Sequence, residues 1–132
     1  FALFGDHTVG ENIFEALGDA PDKVQRAIDL LDFVNMTHRT THIARDLSGG
    51  EKQRIVLARQ IARDPLFFLA DEPTGSLDFA TGESVMRLIM DLNREFGTTL
   101  MMVTHDRSIA AQCNRAITIA AGAVVQDSST VL

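Results

Sequence analysis

Three short stretches of this sequence hold residue types that could do chemistry. In Ser48-Gly49-Gly50-Glu51 the serine and glutamate have the spacing of a capping box, in which each side chain satisfies a backbone donor of the other. A cap alone does not require two glycines in the first helical turn, since each costs about 1 kcal/mol relative to alanine. A bare backbone there leaves N–H groups uncovered at the positive end of a helix, where a phosphate can sit. Asp71 and Glu72 follow an apolar run and precede the turn Pro73-Thr74-Gly75. Adjacent acids often do no more than cap a strand, but a carboxylate placed at a strand end can also hold Mg²⁺, usually through water. His105 follows a second apolar run, "TTLMMVT". A lone histidine is more often structural, and this one is singled out only by its place. His7, His38 and His42 read as surface or packing residues, and no pair of them has a metal-ligand pattern.

Elements must position these groups. Thr8 can cap a helix carrying Ile13, Phe14 and Leu17, with Gly18 as its stop. Pro21 and Asp22 suit a first turn, after which Val24, Ala27, Ile28 and Leu31 fall at helical spacing. Residues 35–46 are polar without a clear period and read as a connection. A third helix is predicted from about Gly49 to Arg63, ended by Asp64-Pro65. "LFFLAD" (66–71) is short, unbroken and bracketed by prolines, which favours a buried strand. A helix with Val85, Leu88, Ile89, Leu92 and Phe96 on one face follows, stopped by Gly97. "TTLMMVT" (98–104) is a second buried strand, with Met101-Met102 as core. Ser108 to Cys113 suits a short helix, and "AITIA", Ala121-Gly122 and "AVVQD" a terminal hairpin. The second half therefore reads as a parallel α/β sheet, whose ligands sit at the carboxyl ends of strands. Asp71, Glu72 and His105 fall there.

The totals narrow the class. A chain of 132 residues can hold one core or part of a larger domain. A net charge of −6 argues against a dominant nucleic-acid surface. The single cysteine, Cys113, cannot form an internal disulfide, and a reducing compartment fits. No apolar run is long enough to span a bilayer. The opening "FALFG" reads as the middle of a longer segment, so a fragment is expected.

Taken in order, these stretches resemble ATP-binding cassette (ABC) ATPases. "LSGGEKQR" resembles the signature motif, "LFFLADEP" the Walker B strand, "SLD" (76–78) the D-loop and "VTHD" (103–106) the switch histidine. "FALFGDHTVGENI" resembles the stretch after the family's Q-loop glutamine. The resemblance implies an α/β fold, a partial P-loop NTPase fold of ABC type: residues 1–63 a helical signature subdomain, 64–132 the parallel-sheet core with a terminal β-hairpin. It implies ATP and Mg²⁺ as ligands, Asp71 on the metal, Glu72 as general base, and His105 in contact with both the γ-phosphate and that glutamate. Leu47, Ser48, Gly49, Gly50 and Glu51 would face a triphosphate held by a second cassette, and Asp78 would lie across the dimer interface. The most familiar signature has glutamine where this one has Glu51, whose capping role survives.

No G-x-x-x-x-G-K-[ST] loop occurs here, since no glycine directly precedes Lys23 or Lys52. That loop, the adenine-stacking aromatic and the Q-loop glutamine are expected upstream of Phe1. The branch it looks most similar to serves lipoprotein release and macrolide export. This implies a membrane permease, either a separate polypeptide or a segment missing from this sequence, and a cytoplasmic, peripheral location at the inner face of the membrane. A soluble ATPase that activates methyl-coenzyme M reductase is the alternative. A third is a non-catalytic interaction module, for the polypeptide taken alone. No nucleic-acid partner is expected.

Overall fold

The structure, a computed structural model, describes residues 3–129. Phe1 and Ala2 of the first motif, and 130–132 of the expected core part, lie outside the described residues. Helix α1 (Val9–Leu17) starts on a capping box: the Thr8 hydroxyl accepts from Glu11 N at 3.1 Å and Glu11 accepts from Thr8 N at 2.7 Å. It ends at Gly18, whose φ of 56° suits glycine. Helix α2 (Lys23–Phe33) begins later than expected, because Asp22 stands at the cap with φ 53° rather than in the first turn. It turns Ala27, Leu30 and Leu31 inward. Val24 and Ile28, expected inside, are exposed: an inward stripe through Leu30 leaves both on its far edge. The connection holds two single 3₁₀ turns, Thr37–Arg39 and Ala44–Asp46.

Helix α3 (Gly49–Ile61) buries Ile55, Leu57, Ala58 and Ile61 against α1, α2 and α4. Arg26 fixes its far end, bonding Ala62 O at 3.0 Å and Asp64 at 2.7 Å. Strands β1 (Phe67–Asp71) and β2 (Thr99–Val103) pair in parallel, with Asp71 opposite Val103. Between them runs α4 (Phe79–Phe96), whose buried face carries Val85, Leu88, Ile89 and Leu92 as its spacing predicts. The strands are buried on one face only. Phe68 and Ala70 point into the core while Phe67, Leu69, Met101 and Val103 are exposed, so Met101 is not core and Met102 is only half-buried. The reason is geometric. Among the described residues the helices cover one side of the pair, and the pleat turns alternate side chains away from it. Helix α5 (Arg107–Ala110) begins one residue earlier than predicted, with Asp106 capping Ser108 N at 2.8 Å. The antiparallel pair β3 (Arg115–Ala120) and β4 (Ala123–Ser129) closes through Ala121 and Gly122, both at positive φ as a two-residue hairpin turn requires.

One buried polar cluster was not foreseen. Asn12 is fully buried; its Oδ1 accepts from Phe4 N at 2.9 Å and Arg59 Nη1 at 3.0 Å. Its Nδ2 donates to Phe4 O and Thr8 O, both at 3.0 Å. Arg59 also lies over the Phe4 ring. This clamp ties the segment before α1 to the middle of α1 and the far half of α3. Asn12→Ala strands several buried groups at once and is expected to cost on the order of 3 kcal/mol in urea unfolding. A loss below about 1 kcal/mol would show that the cluster is incidental.

Candidate functional site

The first group sits at the start of α3. Ser48 caps the helix, its Oγ accepting from Glu51 N at 3.2 Å, while Glu51 Oε2 accepts from Ser48 N at 3.4 Å. Ser48 and Gly49 are exposed, so this tip is open to a ligand as the motif requires. Gly50 is buried, and its reason for being glycine differs from the expected one. A Cβ on Gly50 would stand 2.4 Å from Thr81 Cγ2, so the position is reserved for close packing of α3 on the start of α4. A Cβ on Gly49 would meet only the flexible end of Leu77, at 3.2 Å. Leu47 is also buried and anchors the tip from behind. Asp78 caps α4 by accepting from Thr81 N at 3.1 Å. The Thr81 hydroxyl and N–H hold its carboxyl below the usual aspartate range. Thr81 thus joins the Asp78 turn to the Gly50 contact. Arg54 is a cross-brace: it bonds Val34 O at 3.0 Å and Ser84 Oγ at 2.6 Å, linking the end of α2 to α3 and α4.

The second group sits at the rim of the β1–β2 pair. Asp71 ends β1 and is exposed. Glu72 departs from strand geometry, with φ 43° in the left-handed region. Such a conformation costs a non-glycine residue on the order of 1–3 kcal/mol unless its surroundings over-determine it. Here they do. Glu72 N donates to Val103 O at 2.8 Å, Glu72 O accepts from Gly75 N at 3.1 Å, and its side chain is held by His105. Oε1 accepts from His105 N at 3.0 Å and lies 2.8 Å from His105 Nδ1. The turn therefore aims the Glu72 carboxylate sideways at the residue that follows β2. The hydrogen bond and charge of Glu72 push the His105 imidazole above its ordinary 6.5. Asp106, capping α5, adds to this from the neighbouring position. The pair's stabilisation is complete below about pH 6.5 and fades as pH rises through the higher folded value. In an NMR titration His105 is expected to lose its proton above pH 6.5, and Glu72→Gln to lower that midpoint. An unmoved midpoint would contradict the pairing.

So the structure brings Glu72 and His105 together, keeps Asp71 beside them, and sets Ser48–Glu51 and Asp78 together elsewhere. Among the described residues no hydrogen bond joins the two groups. An open groove of about 1120 Å³ between α4 and α5 touches Asp78 but neither Glu72 nor His105. Among the described residues no three His, Cys, Asp or Glu gather as a metal cage. A site with only one or two carboxylates, one of them free at a strand end, fits Mg²⁺, which keeps most of its water and takes its other ligands from phosphates.

The family described as ABC transporter matches residues 1–75, more than half of the chain. The chain belongs to the ABC transporter family. Over 101 residues it is 48% identical to the lipoprotein-releasing system ATP-binding protein LolD of Oleidesulfovibrio alaskensis, covering 76% of this chain and 44% of that protein. Over 106 residues it is 45% identical to the macrolide export ATP-binding/permease protein MacB of Rhodospirillum rubrum, covering 80% of this chain and 16% of that one. The dimeric structure of MJ0796, described as a bacterial ABC transporter cassette, superposes with a TM-score of 0.81 at 34% identity, over 98% of this chain and 59% of that one. The ABC-type α/β fold expected from the motifs is thus the fold observed. The chain spans less than two thirds of the length of each of these relatives, and no described helix is long and apolar enough to cross a membrane.

Proposed function

We propose that this ABC chain supplies two halves of two different ATP sites in a head-to-tail pair of cassettes. The observation that carries the reading is the separation just described: an exposed, capped helix tip on one side and a Glu72–His105 pair at a sheet rim on the other. In one site Ser48, Gly49 and the backbone of Gly50 face the γ-phosphate of ATP held by the partner, with Leu47 and Glu51 supporting the tip. In the other, Asp71, Glu72 and His105 act on the ATP of their own cassette. Residues 1–63 would present the tip and 64–132 the reacting groups, with Asp78 at the interface between cassettes. The phosphate-binding loop that the reading requires is not among these 132 residues.

The chemistry follows from the geometry. Glu72 Oε1 is occupied by His105, so Oε2 is the oxygen left to orient a water and take its proton. That proton leaves as the water oxygen bonds the γ-phosphorus and the β–γ bridge breaks. His105 with Nδ1 on Glu72 presents Nε2–H outward when protonated, as a donor to phosphate oxygens. Asp71 would hold Mg²⁺, which when bound offsets the charge of the phosphates. The names of LolD and MacB support a transporter role, with a membrane permease as the driven partner and the cassette peripheral at the cytoplasmic face.

Sedimentation velocity of a full-length cassette carrying Glu72→Gln tests the pairing. It is expected to be monomeric without nucleotide and dimeric with ATP, and a monomer at saturating ATP would refute the reading. The 132-residue polypeptide alone is expected to show no Mg-ATPase, because it has no Lys-bearing phosphate loop. Turnover by the pure polypeptide would contradict this.

A further inference from the structure

Glu51 poses a problem for a tip that meets a triphosphate. A carboxylate in the first turn favours the helix but repels an arriving polyanion. Arg39, in the 3₁₀ turn ahead of α3, stands against it. Its Nη2 donates to Glu51 Oε1 at 3.3 Å, leaving Oε2 to the Ser48 N–H. Its Nη1 lies 3.2 Å from His42 Nε2. Arg39 Nε is buried with no hydrogen-bond partner among the described residues, so the guanidinium is seated for its charge at some cost in unmet bonding. The Arg39 and Glu51 side chains are only 37% and 23% exposed, which limits screening by salt and water.

We propose that Arg39 is a positioning residue of the signature tip: it cancels the charge of Glu51 and fixes that carboxylate on Ser48, so that the Ser48–Gly50 backbone can receive a triphosphate. His42 holds the guanidinium from its other side. The inference rests on the ATP-site reading above, and it accounts for a glutamate where the familiar signature has an uncharged glutamine.

The test is a two-background comparison in the full-length Glu72→Gln cassette, following ATP-driven dimerisation by light scattering. Arg39→Gln keeps a polar head and removes the charge. With Glu51 present it is expected to raise the ATP concentration for half-dimerisation about tenfold. In a Glu51→Gln background the same Arg39→Gln change is expected to cost less than about twofold, since no charge then needs cancelling. A loss of equal size in both backgrounds would make Arg39 a structural residue and overturn the proposal, as would no loss in either. If Arg39→Gln melts early, Arg39→Met keeps the apolar stem and is read in the same two backgrounds. If the Glu72→Gln parent fails to dimerise with ATP, the ATP-site reading itself is wrong and this inference falls with it.

Discussion

Glu72→Gln is expected to lower ATP turnover by a full-length cassette by roughly 10²–10⁴. The substitution is nearly isosteric. An amide oxygen can still accept the His105 N–H, so the turn with Glu72 at φ 43° keeps its support. What is lost is basicity: the amide cannot take the proton of an attacking water. Pairing with ATP should persist, because it depends on the tip and the phosphates rather than on proton transfer. Steady-state turnover within about tenfold of the parent would remove Glu72 from the role of base.

The second large effect is expected at Gly50, from sterics rather than charge. Gly50→Ala places a Cβ 2.4 Å from Thr81 Cγ2, a contact that cannot stand without movement. Overpacking of this kind costs about 1–3 kcal/mol. It also levers the α3 tip off the Asp78 turn, because Thr81 belongs to both. ATP-driven dimerisation should weaken by more than about tenfold, as the strain falls on the closing surface. Thr81→Ser removes the offending methyl and keeps the hydroxyl beside Asp78, so Gly50→Ala with Thr81→Ser should recover most of the loss. Gly49→Ala meets only the movable end of Leu77 and should be milder. The packing account fails if Gly49→Ala is the worse of the two, or if Thr81→Ser restores nothing.

These two residues also show what could be read ahead of the structure. The capping box at Ser48 and Glu51, the face of α4 and the parallel order of the two apolar runs were legible, because each depends on local spacing. The approach of Glu72 to His105 was expected only through resemblance. No local rule predicts a left-handed glutamate before a proline, and the bonds that hold it come from β2 and its following loop. Gly50 was legible as unusual but its cause was misassigned, since the methyl it avoids lies 31 positions away at Thr81. Arg39, Arg54 and the Asn12–Arg59 clamp gave no signal beyond ordinary polar residues. Their partners are fixed by tertiary packing, which one sequence does not display. The one-sided burial of β1 and β2 misled for a related reason: apolar composition reports what a strand can bury, not which neighbours are there to bury it.

On the proposed reading, the α3 tip of one subunit completes the site containing Glu72 of the other. Mixing two inactive full-length variants, Ser48→Arg and Glu72→Gln, tests it most directly. In a head-to-tail pair both defects fall in one site and leave the second intact, so the mixture should regain activity, up to about a quarter of the parent's by random pairing. If the tip and Glu72 served the same subunit's nucleotide, every site in the mixture would carry one defect, and activity no higher than that of either variant alone would contradict the account.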